Sequence, residues 1–136
     1  MFEFNITAAW LASETGHTDI LKTLLELGAD ANAAAVTREG VTLSCLHVAA
    51  ANGNLDTVEA LLGAGARLNC GKSCLLEPAR NGRDNILQIL LEAGEDPNVP
   101  GANWETPLFL AQQNGHTNTA ALLKSHGAIV RTSSII

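Results

Sequence analysis

Aromatic residues are scarce in this chain: they make up 4% of its 136 residues, and tyrosine is missing altogether. A core must therefore be assembled from Ala, Leu, Ile and Val, and a hydrophobic content of 46% is enough for one. Positive charge is scarce too. Eight Lys and Arg stand against fourteen Asp and Glu, giving a net charge of -6 and a pI about 5.0. With no run of Lys and Arg, nucleic acid and an anionic membrane are excluded as partners, and a basic or neutral protein surface is expected instead. No apolar stretch reaches the ~18 residues of a membrane span. The N-terminus has no basic region followed by an apolar run, so no secretory signal is read there. Three cysteines are too few, and odd in number, for a disulfide scaffold. These absences point to a reducing, intracellular compartment, cytoplasmic or nuclear. The length is that of one domain.

What the chain does have is repetition. Four segments run from a hydroxyl residue to a glycine: Thr7 to Gly16 (TAAWLASETG), Ser44 to Gly53 (SCLHVAAANG), Ser73 to Gly82 (SCLLEPARNG) and Thr106 to Gly115 (TPLFLAQQNG). A second glycine follows each at a fixed distance, at Gly28, Gly65, Gly94 and Gly127, and Asn32, Asn69 and Asn98 recur after the first three. Self-similarity near a period of 33 residues is the mark of a solenoid, in which no repeat buries its apolar face alone.

Each copy reads as a pair of helices. Ser44 can cap the first by accepting a backbone N–H from two or three residues on, with His47 placed to reach back as in a capping box. Leu46, Val48, Ala49 and Ala50 keep that helix narrow, and Gly53 suits the positive φ of its end. A second helix is predicted over 55–62, with Val58, Leu61 and Leu62 on one face. Its counterparts are Ile20, Leu21, Leu24 and Leu25, then Ile86, Leu87, Leu90 and Leu91, then Ala121, Leu122 and Leu123.

On these residues the chain resembles the ankyrin repeat family. Thr106-Pro107-Leu108-Phe109 and, in part, Ser44-Cys45-Leu46-His47 match the family's Thr-Pro-Leu-His. Gly16-His17 and Gly115-His116 match its Gly-His. Gly28-Ala29-Asp30-Ala31-Asn32 matches its Gly-Ala-Asp-x-Asn, with looser versions at 65–69 and 94–98. The resemblance covers roughly residues 7 to 128. It implies an all-α ankyrin-repeat solenoid of about four stacked helix-turn-helix units joined by hairpin-like fingers. The chain is read as a single domain, 1–136, with repeats at about 4–36, 41–70, 71–101 and 103–130 and a tail at 131–136.

Departures from regularity fall in the links. The hydroxyl residues are 37, 29 and 33 apart, which leaves 11, 3 and 7 residues between each Asn and the next hydroxyl. The first finger (33–43) is therefore expected to be long, the second (70–72) a stub and the third (99–105) of normal length; such loops are where specificity tends to sit. Pro78 should kink or shorten the first helix of the third repeat. Trp104 takes the place of the family's usual finger glycine, either packed on a neighbouring finger or offered to a partner. Trp10, Leu76 and Phe109 share the slot of His47, which is read as a buried packing position.

Catalytic and metal chemistry are weighed and set aside. Ser44, His47 and Asp56 do not make a triad, because Ser44 is needed as a cap and no oxyanion site is evident. Cys45 and Cys74, in equivalent slots of adjacent repeats, are too far apart for a disulfide. Cys70 and Cys74 with His47 lack the paired spacing of a zinc site. His17 and His116 are explained by the Gly-His slot and His126 by a helix C-terminus, and the acidic residues read as a solvated outer face. No catalytic residue, metal or cofactor is expected.

The resemblance implies a non-enzymatic module that binds a protein or peptide on a concave surface of finger tips and first helices. Its variable first-helix positions fall here on Glu14, Thr15, Ala51, Asn52, Arg80, Asn81, Gln113 and Asn114. Arg38, Glu39, Trp104 and Glu105 join them from the fingers. An alternative is a structural segment of a longer array, or a self-associating one, since 1–6 and 128–136 are apolar for chain ends. A regulatory segment of a larger protein is the third reading.

Overall fold

The structure is a computed structural model that describes residues 7–36, 38–68, 74–101 and 104–129. The chain divides into two compact units, Met1–Cys74 and Leu75–Ile136. Each holds two pairs of antiparallel helices.

In the first unit, α1 (Ala8–Thr15) and α2 (Thr18–Glu26) form one pair, α3 (Cys45–Ala51) and α4 (Leu55–Gly63) the other. The hydroxyl residues start the first helices as expected. Thr7 Oγ1 accepts the Trp10 N–H at 3.1 Å and Ser44 Oγ accepts the His47 N–H at 3.0 Å, each cap contributing about 1 kcal/mol. Gly16 ends α1 at φ 77° and returns its N–H to the Ala12 carbonyl. Ala49 and Ala50 are fully buried, and these small side chains let α3 lie close to both α1 and α4. Leu21, Val58 and Leu61 close the core between α2 and α4.

The long first finger is a β-hairpin. β1 (Ala34–Val36) pairs antiparallel with β2 (Thr42–Ser44), with Ala35 opposite Leu43. Ala33 and Ala35 are buried, and the turn carries Arg38, Glu39 and Gly40 into solvent. The second finger, 70–72, and the expected cap Ser73 lie outside the described residues.

The second unit pairs α5 (Leu76–Asn81) with α6 (Asp84–Glu92) and α7 (Pro107–Gln113) with α8 (Thr117–Ser125). Thr106 Oγ1 caps α7 by accepting the Phe109 N–H at 3.1 Å, and Pro107 occupies the first turn, where its missing N–H has no partner to lose. Pro78 shortens α5 to 6 residues, against 8 in α1 and 7 in α3 and α7. By starting at Leu76, α5 keeps Pro78 in its first turn, where the helix needs no N–H. Leu87, Leu90, Leu108 and Leu123 are fully or almost fully buried.

Three expectations need correction. The apolar face of the first repeat's second helix is incompletely buried: Leu21 is enclosed but Ile20 is 55% exposed. Ala121, in the last repeat, is exposed as well. The slot shared by Trp10, His47, Leu76 and Phe109 is not buried throughout, for Phe109 is 47% exposed. The finger that follows covers this slot. Trp10 Nε1 donates to the Leu43 carbonyl at 2.8 Å, and Leu76 Cδ1 lies 2.5 Å from where a Cβ on Gly101 would stand. Lastly, the acidic residues do not all face solvent. Glu95 is buried, and its Oε2 has no hydrogen-bond partner. It stands where the first two repeats carry Ala29 and Ala66, which are half-buried.

That replacement makes stability depend on pH. Burial, opposed in part by the Asp96 backbone N–H and reinforced by the Asp96 charge, raises the Glu95 carboxyl from 4.5 to about 7. The folded state thus holds a proton that the unfolded state releases. Stability is full below about pH 4.5 and falls as pH rises through about 7, by up to about 3 kcal/mol. Thermal denaturation at pH 5 and pH 8 is expected to show that loss, and Glu95→Gln should remove most of the difference.

Candidate functional site

Side chains of one repeat fasten onto the backbone of its neighbour within each unit. Asn32 Oδ1 accepts the Arg67 N–H at 2.7 Å. Asn98 does the same and more: its Oδ1 accepts the Ile129 N–H at 2.9 Å while its Nδ2 donates to the Gly127 carbonyl at 3.0 Å. Asp30 and Asp96 hold these asparagines in place by accepting their backbone N–H groups at 2.8 and 2.9 Å, the geometry of an Asx turn. At the second helices, the Thr18 and Thr57 hydroxyls meet at 2.9 Å, and the Thr119 hydroxyl donates to Asp84 Oδ1. His116 packs its ring against Gly82, with Nε2 2.9 Å from the Arg80 carbonyl. A Cβ on Gly82 would stand 2.8 Å from that ring, so only glycine admits it. The recurrence of the asparagines was visible in the sequence, but no role attached to it. These ties join the two helix pairs within each unit and fix the start of the loops there.

In the first unit that support presents Glu14, Thr15 and Asn52 at the ends of α1 and α3, all exposed. Asn52 Nδ2 donates to the Glu14 carbonyl at 3.0 Å, which draws the two helix ends together. Ala51 is half-buried beside them. Thr15 is turned partly inward, its hydroxyl donating to the Leu11 carbonyl at 2.8 Å and meeting His17 Nδ1 at 2.6 Å. Arg38 and Glu39 stand apart from this cluster, on the hairpin turn.

In the second unit Arg80, Asn81, Gln113 and Asn114 occupy the ends of α5 and α7. Asn114 Nδ2 donates to its own helix at Leu110, 2.8 Å away, while Asn81 and Gln113 face solvent. Arg80 forms an ion pair with Glu77 and reaches Glu105 at 3.9 Å. Exposed pairs of this kind contribute about 0–1 kcal/mol, so their effect is to hold the guanidinium beside the finger. The finger itself is closed by the Gly101 N–H, which donates to the Glu105 carbonyl at 2.8 Å.

Trp104 sits inside that closed turn and is 75% exposed. Its φ of 62° makes it the one non-glycine residue with positive φ among the described residues. The slot wants glycine for a physical reason: left-handed backbone costs other residues roughly 1–2 kcal/mol. A large aromatic side chain is kept there, in water, against its own backbone preference.

The Ser44 hydroxyl is occupied as a cap and Asp56 is exposed on α4. Cys45 and Cys74 are both buried, with Cys74 Sγ 3.7 Å from the Leu68 carbonyl. Cys70 lies outside the described residues, and among those described no three His, Cys, Asp or Glu side chains gather to hold a metal. Nor is any described helix long and apolar enough to cross a membrane.

Comparison with known proteins agrees with this architecture. A family model described as ankyrin repeats (3 copies) matches residues 2–72. The chain is 31% identical over 132 residues to an ankyrin repeat-containing protein of Treponema pallidum, covering 93% of this chain and 42% of that protein. It is 35% identical over 116 residues to the transient receptor potential channel pyrexia of Drosophila melanogaster, covering 83% of this chain and 12% of the channel. Against the rat cyclin-dependent kinase 4 inhibitor B it is 32% identical over 117 residues, covering 82% of this chain and 86% of the inhibitor. The chain thus spans less than half the length of the first two.

The backbone at position 104 supplies a direct test. Trp104→Gly relieves the left-handed strain but gives the unfolded chain more freedom. A net gain of about 0.5–1 kcal/mol is expected, seen as a raised thermal midpoint in circular dichroism. A lowered midpoint would mean that the indole packs on the fold.

Proposed function

Because the chain belongs to the ankyrin repeat family, whose repeats generally serve as protein-interaction modules, we propose that it is a non-enzymatic module that binds a protein or peptide through its fingers and first-helix ends. Trp104 carries this reading. An indole held 75% exposed at a backbone position that favours glycine does nothing for the fold that a glycine would not do better. Tryptophan and arginine are the residue types most enriched where binding energy concentrates, and Arg80 is fastened to Glu105, the residue next to Trp104.

The candidate contact residues are Glu14, Thr15, Asn52, Arg38 and Glu39 on the first unit and, on the second unit, Arg80, Asn81, Trp104, Glu105, Gln113 and Asn114. The net charge of -6 favours a basic or neutral ligand and works against nucleic acid. Binding proceeds by rigid display: the inter-repeat ties set the loops in advance, so little ordering entropy is lost on association. The rat relative, of which this chain covers 86%, is by its name an inhibitor of a protein kinase. That supports a chain of this size and fold acting by contact with another protein. Three cysteines, too few for a disulfide scaffold, support an intracellular setting.

A peptide-display selection against the immobilised chain provides a ligand for titration. Trp104→Ala and Arg80→Ala are expected to weaken it roughly thirtyfold, or about 2 kcal/mol, with stability within about 0.5 kcal/mol of wild type. Glu59→Ala and Gln88→Ala, exposed on the second helices, should change neither. Weakening by the second-helix pair alone would move the site to the other face.

A further inference from the structure

We propose that this chain self-associates head to tail, the first repeat of one copy docking on the fourth repeat of another. The repeats themselves supply the template. In both units a threonine on the later second helix meets the earlier one: Thr57 meets Thr18, and Thr119 meets Asp84. These threonines are fully or almost fully buried, at 0% and 2% exposed. The first repeat carries Ile20 in the same position, 55% exposed. On the first helices the pattern repeats. Val48 and Leu110 are buried at 6% and 2%, whereas their counterpart Leu11 is 47% exposed. Leu11 and Ile20 therefore belong to a repeat-docking face with no described repeat upon it.

The complementary face is on the same chain. Gly16 receives the Asn54 side chain and Gly82 receives the His116 ring, with approach distances of 3.0 and 2.8 Å from their would-be Cβ atoms. Gly115 is the matching glycine of the fourth repeat, and nothing stands within 4 Å of its own would-be Cβ. A cleft of about 330 Å³ opens there, lined by Gly115, Thr117, Ala120 and Ala121 among others. The residue of the first repeat that corresponds to Asn54 and His116 is His17, exposed and steadied at Nδ1 by Thr15. His17 of a second copy fits Gly115 as His116 fits Gly82, and Ile20 then lies over the alanine floor. The contact continues the interface already made within each unit. Because it joins two different faces, each added copy leaves one of each face open.

Sedimentation velocity on the full chain tests this. Weight-average mass is expected to rise with concentration past that of a dimer. Ile20→Glu spoils the docking face and Thr117→Glu the receiving face. Each places a carboxylate in the first turn of a helix, where it suits the dipole, and circular dichroism should show both variants folded. Each alone should associate at least roughly tenfold more weakly. An equimolar mixture of the two should form a one-to-one dimer that grows no further, since it retains one intact face of each kind. A wild-type chain that stays monomeric, a variant that associates like wild type, or a mixture that remains monomeric would each overturn the proposal.

Discussion

The structure depends on one constraint: a short helix pair cannot bury its own apolar face, so each repeat must be closed by the next. Apolar packing supplies most of the energy, through Leu21, Val58 and Leu61 in one unit and Leu87, Leu90 and Leu123 in the other. Apolar packing is not directional, however, and does not set the spacing or angle of the loops. The directional part comes from a few side chains that bond to the neighbouring repeat. Asn32 and Asn98 join the links, the Thr18–Thr57 and Thr119–Asp84 contacts join the second helices, and His116 locks onto Gly82. The fingers stand where they do because these bonds leave them little choice.

That stiffness gives Trp104 its meaning. A loose loop would let a tryptophan relax toward a backbone it prefers, or fold its ring onto the protein. Here the Gly101–Glu105 hydrogen bond closes the turn, and the indole is left in solvent at positive φ. Strain and exposure together at one residue are the two observations on which the proposed binding role of Trp104 rests. Glu95 shows the other side of the same economy of space. Glu95 stands where the other repeats carry alanine, and unlike those alanines it is buried, with one oxygen unpaired.

Much of this could be read from the chain before any coordinates. The hydroxyl-to-glycine spacing located α1, α3 and α7 with their caps Thr7, Ser44 and Thr106, the Leu and Ile pattern located the second helices, and the long first link contains the hairpin at Ala34–Ser44. Pro78 foretold the short α5. What stayed hidden depends on neighbours that sequence spacing does not name. Phe109 and Ile20 look like core residues by their place in the repeat, and they are exposed because no described element covers them. Glu95 looks like a surface acid by its residue type. The sequence marked Trp104 as standing in a glycine's place and as a candidate contact residue; the sign of its φ required coordinates.

The central claim is that ties between repeats hold the loops rigid in the free protein. Amide hydrogen exchange followed by nuclear magnetic resonance tests it most directly, at the Arg67 and Ile129 N–H groups that Asn32 and Asn98 accept. Both amides lie outside the helices, so local helix structure cannot protect them. The account predicts that both exchange slowly in the free chain, and that Asn32→Ala frees the Arg67 amide while α1 and α4 remain protected. Exchange of both amides at the rate of an unstructured peptide in the wild-type chain would contradict it.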